Sequence, residues 1–359
     1  MPHLLIMAAG TGGHIMPGLA VAREVQRRGW NVSWLGTTTG LENQLVPANH
    51  IALHRLAFSG LRGKGLWHAF TGSLRLIKAF WDAQRVLRRS GADVVLGMGG
   101  YVCLPGGLMA WLLRRPLMLV NADATLLLSN KALNRIADRI AFGFDGEAAQ
   151  RSTRAVVTGN PVREEIEAIA APQQRLAGRS GPLALLVVGG SLGAQVLNQN
   201  LPAALALLAG AQRPSVLHQT GVAGLESVRA AYRDLGITAD VRPFIDDMAT
   251  ALAACDVVIC RAGAITVSEL CGAGVAAVLV PLVLKTTSHQ RDNAELMARH
   301  GAALVLPQGE LNAHSLARLL SGLDRPTLLN IATMARHLAR PCAAARVADE
   351  LARLVRLPA

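Results

Sequence analysis

Aromatic residues are scarce in this chain: five tryptophans, two tyrosines and six phenylalanines make up 4% of 359 residues. Half of the residues are nevertheless hydrophobic (51%), so any core has to be built from alanine, leucine and valine. Acid is also short. Against 36 lysines and arginines stand 24 aspartates and glutamates, a net charge of +12 and a pI near 10.6. That excess implies an anionic partner: nucleic acid, a phospholipid surface or a phosphorylated substrate. With few aromatics to stack bases and no lysine-rich tail, nucleic acid is not expected. The five cysteines form no C-x-x-C pair and sit mostly in apolar runs, as core residues of a reduced, cytoplasmic protein do. No metal-ligand spacing is present. The longest apolar run, residues 271–284, falls short of the ~20 residues of a spanning helix, and Met1-Pro2-His3 lacks the basic start of a signal peptide. The expectation is a chain with no membrane span.

What the chain does have is length for two domains and 35 glycines, which suit an α/β protein with many tight strand-to-helix turns. A short apolar strand, residues 4–7, leads into Gly10-Thr11-Gly12-Gly13-His14 and then a helical pattern. Strand, glycine loop and helix point backbone N–H groups and a helix N-terminus at an anion. Phosphate cradling needs the glycines but not the imidazole of His14. Further buried strands at 32–35, 93–96 and 117–120 alternate with helices, as in a parallel sheet. A second glycine loop, Gly97-Met98-Gly99-Gly100-Tyr101, follows the strand at 93–96. Near Asn160–Arg163 the pattern restarts, and the strand at 183–188 enters Gly189-Gly190-Ser191-Leu192-Gly193, a near-copy of the opening unit. Strands at 215–218, 241–244, 257–260, 276–280 and 303–306 follow. Two such units imply two Rossmann-like domains, residues 1–161 and 162–342, with a terminal helix in 343–359 packing back across both.

Residues 58–89 read differently. Seven lysines and arginines face one acid, Asp82, and are interleaved with Leu61, Leu66, Trp67, Phe70, Leu74, Ile77, Phe80 and Trp81. This is the pattern of an interfacial membrane patch; an amphipathic helix laid on the sheet would account equally for residues 74–87.

A nicotinamide enzyme is excluded by Ile15 in place of the third glycine and by the absence of an acid after the second strand, Trp34-Leu35-Gly36-Thr37. A P-loop nucleotidase is excluded because no glycine loop carries the Walker lysine. The stretch from Arg261 to Leu270 places Gly263 and two hydroxyls at a helix start. Thr266 or Ser268 could cap that helix, while Glu269 could accept both hydroxyls of a ribose.

The loops at 10–14, 97–101 and 189–191, Gly159-Asn160-Pro161-Val162-Arg163, Phe244-Ile245-Asp246-Asp247-Met248, and Gly263 through Glu269 occur in one order. In that order they resemble the MurG family, the UDP-N-acetylglucosamine transferases of bacterial peptidoglycan synthesis, over essentially the whole chain. The resemblance implies the GT-B architecture: two Rossmann-like parallel-sheet domains facing a cleft, the acceptor on the N-terminal one and the nucleotide sugar on the C-terminal one. It implies an inverting transfer to the C4 hydroxyl of the muramoyl sugar of undecaprenyl-diphospho-muramoylpentapeptide, with no metal or cofactor required. Donor contacts are implied for Thr11, Gly12, Gly13, Asp123, Arg163, Ser191, Ile245, Ala264, Ile265, Thr266, Val267, Ser268, Glu269 and Gln290. Ile245 would meet uracil through its backbone, Glu269 the ribose and Gln290 the sugar. For Arg163, an inter-domain salt bridge is the alternative. The acceptor diphosphate falls to Gly12, Gly13, His14, Gly99, Gly100 and Tyr101. The chain departs from the family where Asp123 replaces a donor-binding asparagine and Thr287-Ser288 replaces an acidic pair. His14 is either the base or a clamp on the acceptor, with Asp123 and Glu42 as outside candidates for the base. The implied location is the cytoplasmic face of the bacterial inner membrane, drawn by anionic inner-leaflet lipid. A UDP-N-acetylglucosamine 2-epimerase shares donor and design, but would not need the patch at 58–81. A non-catalytic glycolipid-binding protein is the third reading.

Overall fold

The computed structural model describes residues 1–10, 12–57, 66–190, 193–282 and 288–356, with the backbone alone described at 66–75 and 356. The chain divides into two compact units. The first comprises residues 1–162 and 342–359, the second residues 163–341.

Among the described residues the first unit carries seven parallel strands: β1 (His3–Ala8), β2 (Asn31–Thr37), β3 (Ala52–Leu56), β4 (Val94–Gly99), β5 (Leu117–Asn121), β6 (Arg139–Phe142) and β7 (Ala155–Val157). Their order is β3-β2-β1-β4-β5-β6-β7. The described residues of the second unit form six: β8 (Ala184–Val188), β9 (Ser215–Gln219), β10 (Asp240–Arg242), β11 (Val257–Cys260), β12 (Ala276–Leu279) and β13 (Leu304–Val305), ordered β10-β9-β8-β11-β12-β13. Both are doubly wound sheets whose direction of progression reverses between the first and fourth strands, β1 and β4 or β8 and β11. Ligands of such sheets bind beyond the carboxyl ends of those two strands. The glycine loops lie there in both units.

At the opposite ends the sheets share a small device. Asp93, Asp138 and Asp256 each stand just before a strand, β4, β6 and β11. The N–H of each donates to the carbonyl of the first residue of the neighbouring strand, His3, Leu117 or Ala184, at 2.8 Å. Each carboxylate accepts that same residue's N–H, at 2.8, 2.8 and 2.9 Å. Acids are spent here on aligning strand starts, and Asp256 also receives Arg179 and Arg325.

The cores are aliphatic, as the composition requires. In the first unit the helix Gly12–Arg27 comes close to β2 because Gly18 has no Cβ; one would sit 2.7 Å from the ring of Trp34. The last helix, Ala343–Arg356, buries Val347, Ala348, Leu351 and Leu354 in the same cluster, and Arg28 reaches Asp349 at 2.6 Å and the Ala345 carbonyl at 3.2 Å. This helix is therefore part of the first unit. Four cysteines are buried, with Cys103, Cys255, Cys260 and Cys271 pushed up to about 12 by burial; Cys342 is exposed, against the expectation for a core residue.

The strand expected at 241–244 ends at Arg242, since Pro243 has no N–H to offer the ladder. The helix Leu66–Ser90 begins earlier than residue 74. It turns Ala79, Ala83 and Leu87 into the core, with Phe80 partly buried against them, and leaves Ile77 and Trp81 exposed. Phe80 is thus a packing residue, not a free member of the patch. Leu61 lies outside the described residues, as do the side chains of Leu66, Trp67, Phe70 and Leu74. Among the described residues no helix is long and apolar enough to cross a membrane.

Candidate functional site

In the second unit a pocket of about 190 Å³ opens at the carboxyl ends of β8 and β11. Three backbone features build it. Gly189 and Gly193 close the turn after β8: a Cβ on Gly189 would lie 2.3 Å from the Ala194 nitrogen, and one on Gly193 2.0 Å from the Thr220 carbonyl. The helix Ala264–Ala273 after β11 starts at Gly263 with no side-chain cap and no acid in its first turn. The helix Gln195–Ala206 after β8 starts in the same way. Uncapped N–H groups and the positive helix end favour an anion at both places.

The walls include Arg163, Gly190, Gln219, Phe244, Ile245, Met248, Thr266 and Glu269. Arg163 donates through Nε to Glu269 Oε1 at 3.0 Å, and its Nη2 lies 2.9 Å from the same oxygen. Burial raises the Glu269 pKa, and Arg163 opposes that rise. The pair lies wholly within the second unit, so Arg163 is no inter-domain salt bridge. Gln219 sits at the end of β9, 2% exposed. Its side-chain amide donates to the Gly190 carbonyl at 3.0 Å, and its Oε1 accepts the Ile245 N–H at 3.2 Å.

In the first unit the loop after β1 is held from two sides. Gly10 has φ +100°, and its N–H donates to Glu42 Oε2 at 3.1 Å. Glu42 is fully buried, and its other oxygen accepts the Thr37 N–H at 2.8 Å and the Thr37 hydroxyl at 2.6 Å. Glu42 thus clamps the loop to β2 and is closed off from any base role.

His14, in the first turn of the helix Gly12–Arg27, rests its ring on the second glycine loop. Gly99 has φ +126°, and a Cβ there would come within 2.5 Å of His14 Nδ1. Gly100, at φ +89°, lets that loop pack within van der Waals reach of Ala9. The buried Nδ1 has no hydrogen-bond partner of good geometry. Burial lowers the His14 pKa, while the charge of Asp123 and the Met98 backbone pull it back up. The imidazole is therefore mainly neutral at pH 7, with its basic form available. The segment carrying Asp123 is knitted by Asn121, which donates to the Asp123 and Thr125 carbonyls at 2.8 and 3.1 Å, and by Asn160, which donates to the Ala122 carbonyl at 2.9 Å.

Residues 4–142 match the glycosyltransferase family 28 N-terminal domain and residues 184–350 match the glycosyltransferase family 28 C-terminal domain. The chain belongs to glycosyltransferase family 28. It is 65% identical over 359 residues, 99% of this chain and 98% of the relative, to the UDP-N-acetylglucosamine--N-acetylmuramyl-(pentapeptide) pyrophosphoryl-undecaprenol N-acetylglucosamine transferase of Methylibium petroleiphilum. The protein of the same name from Chromobacterium violaceum is 64% identical over 348 residues, 96% of each chain. Among solved structures, MurG of Acinetobacter baumannii is 37% identical with a TM-score of 0.85, covering 98% of this chain and all of that one. The two parallel-sheet units are those of the GT-B class.

Within this family 28 chain, the pocket brings together four of the expected donor residues: Arg163, Ile245, Thr266 and Glu269. Others are placed differently. Ser268 does not cap the helix; its hydroxyl bonds back to the Ala264 carbonyl at 2.9 Å and is buried. Val267 is fully buried and Ala264 nearly so, which leaves them only backbone to offer, while Ile265 is partly exposed beside them. The Ile245 N–H is taken by Gln219. Gln290 accepts the Leu282 N–H at 2.9 Å, and Asn293 donates to the Ala262 carbonyl at 3.0 Å, so both hold the loops around the Ala264–Ala273 helix. Gly12, Gly13, His14, Gly99, Gly100 and Tyr101 gather at the carboxyl ends of β1 and β4, with Asp123 acting on His14 from beyond β5. Thr11 and Ser191 lie outside the described residues. Gln219, Phe244 and Met248 line the pocket without having been singled out: Phe244 and Met248 stand in the motif around Ile245, whereas Gln219 ends a mixed strand, Ser-Val-Leu-His-Gln, that carries no signal of its own.

Proposed function

We propose that this chain moves N-acetylglucosamine from UDP-N-acetylglucosamine to the C4 hydroxyl of the muramoyl sugar of undecaprenyl-diphospho-muramoylpentapeptide, with inversion. The observation that carries this reading is the full-length 65% identity to a transferase of that name. The second unit takes the donor. Glu269 holds the ribose diol, the carbonyl of Ile245 meets the base, and the diphosphate lies against the open helix starts after β8 and β11. Arg163, released from Glu269 as the ribose enters, adds its charge to the departing diphosphate. The first unit takes the acceptor diphosphate on the loops at 10–14 and 97–101.

In the reaction the C4 oxygen bonds to the anomeric carbon as the bond to the β-phosphate oxygen breaks. UDP leaves with that electron pair, and the hydroxyl proton passes to neutral His14. Backbone N–H groups and a guanidinium suffice for the leaving charge, so the reading calls for no metal and no cofactor. The acceptor is a lipid, and exposed Ile77 and Trp81 with Lys78 and Arg85 give the first unit a surface for the inner leaflet. The chain would then work as a peripheral protein on the cytoplasmic face of the bacterial inner membrane, held by anionic lipid. Radiolabelled UDP-N-acetylglucosamine with the undecaprenyl acceptor tests the whole reading: label moves into the lipid phase. Release of a free epimerised sugar, or no turnover at all, would overturn it.

A further inference from the structure

The first unit has a second hollow, at the end of its sheet away from the Gly10 loop. It measures about 490 Å³ and opens where β1, β2 and β3 begin, with His3, His50, His54, Arg89, Asn31 and Ser33 among its lining residues. Three of the chain's ten histidines gather here. His3 on β1 and His54 on β3 flank β2, pairing with Asn31 and Leu35 respectively, and their side chains share one face of the sheet. His3 Nε2 lies 2.9 Å from the Ser33 hydroxyl. His50 follows the helix Glu42–Ala48 at φ +57°, a position glycine would fill more easily.

The electrostatics are one-sided. Burial lowers the His54 pKa and the charge of His3 lowers it further, with no carboxylate acting in the other direction. No aspartate or glutamate is among the described lining residues. The charged groups on the surrounding elements are mostly basic: His3 on β1, His54 on β3, and Arg85, Arg88 and Arg89 at the end of the Leu66–Ser90 helix. Of the nearby acids, Asp93 accepts the His3 backbone N–H, and Glu24 is paired with Arg27 and Arg28. Two imidazoles, a guanidinium, a hydroxyl and an amide thus surround one open volume with no acid in its described lining, a set of groups that can donate to an acceptor.

We propose that this hollow binds a phosphate-class oxyanion, with Arg89 as the fixed charge and His3 and His54 as pH-dependent donors. A bound anion favours the charged form of His54 against its burial, so binding and protonation reinforce each other. The anion could come from a free or small-molecule phosphate, or from the glycerophosphate headgroup of a lipid.

The test uses the full-length chain and sulfate, which keeps its charge across the range. Ring signals of His3 and His54 are followed by NMR at constant ionic strength. Sulfate should raise the His54 pKa and bind about 10-fold tighter near pH 5.5 than near pH 8. Both effects should vanish in Arg89→Gln and in His54→Gln, with transferase kcat unchanged. A response to phosphatidylglycerol vesicles but not to sulfate assigns the site to headgroups. No response of the His3 and His54 rings to either probe overturns the proposal, and so does a response that survives both substitutions.

Discussion

His14 shows what a single residue gains from the fold. Its presence in a glycine loop was legible in the sequence; its seat was not, because the seat is the missing side chain of Gly99, 85 residues further on. A base needs to be neutral before it acts, and burial lowers the His14 pKa below the usual ~6.5. His14→Ala should therefore reduce kcat by about 10²–10⁴ with the KM for UDP-N-acetylglucosamine little changed. Gly99→Ala should act in the same direction, since its Cβ must displace the ring and its φ of +126° disfavours any side chain. A large rise in donor KM with kcat intact, in either variant, would remove His14 from the acceptor side. The acid limb of kcat/KM should fall below pH ~6.5, because the group must lose its proton to work and its pKa is lowered. Asp123 raises that pKa by its charge, so Asp123→Asn should move the limb to still lower pH. A limb that stays put would show that another group is titrating.

At the scale of elements, the buried strands were largely readable, while β3, β6 and β7 were not. Buried strands such as β4, β8 and β11 are continuous apolar runs, whereas β3, with His54 and Arg55, and β6, which opens on Arg139, hide among polar residues at or near the sheet edge. Motif order named Arg163, Ile245, Thr266 and Glu269, which one pocket brings together. The connection among them was not legible, because it runs through Gln219, whose partners are 29 and 26 residues away. One amide fixes both the loop after β8 and the backbone of Ile245, with its nitrogen and oxygen doing opposite jobs. Gln219→Leu leaves the buried Ile245 N–H unpaired, a cost of about 1–3 kcal/mol, and frees the exposed Gly190 carbonyl, part of the cost being recovered when the loops shift. Kinetic assays should show the donor KM rising about 10-fold with kcat within about 2-fold. Gln219→Glu can accept from Ile245 but cannot donate to Gly190, and should fall between the two. If Gln219→Leu instead lowers kcat at unchanged KM, the pocket-positioning role is wrong.

For the whole molecule, the net charge of +12 is the sequence property with the longest reach. Acids are few, and three of them are committed to strand starts, so much of the basic surface is uncompensated. The long Leu66–Ser90 helix packs one face on the sheet, as an amphipathic helix laid there would, and presents Ile77, Lys78, Trp81 and Arg85 outward. The adjacent helix Cys103–Leu112 adds exposed Trp111 and Leu112, followed by Arg114 and Arg115. Sequence reading passed over that second contribution, since an apolar ten-residue helix reads as core. Basic residues near an anionic bilayer contribute about 1 kcal/mol each, and that attraction is screened over about 8 Å at physiological salt. Buried tryptophan adds an apolar part that salt does not weaken. Co-sedimentation should therefore show strong binding to phosphatidylglycerol vesicles, weak binding to phosphatidylcholine, and a steep decline with salt for the former. Trp81→Glu with Trp111→Glu should reduce binding to the anionic vesicles while turnover of a water-soluble acceptor analogue is retained. Equal binding to anionic and neutral vesicles would refute the electrostatic part, and full binding by the double variant would refute the apolar part.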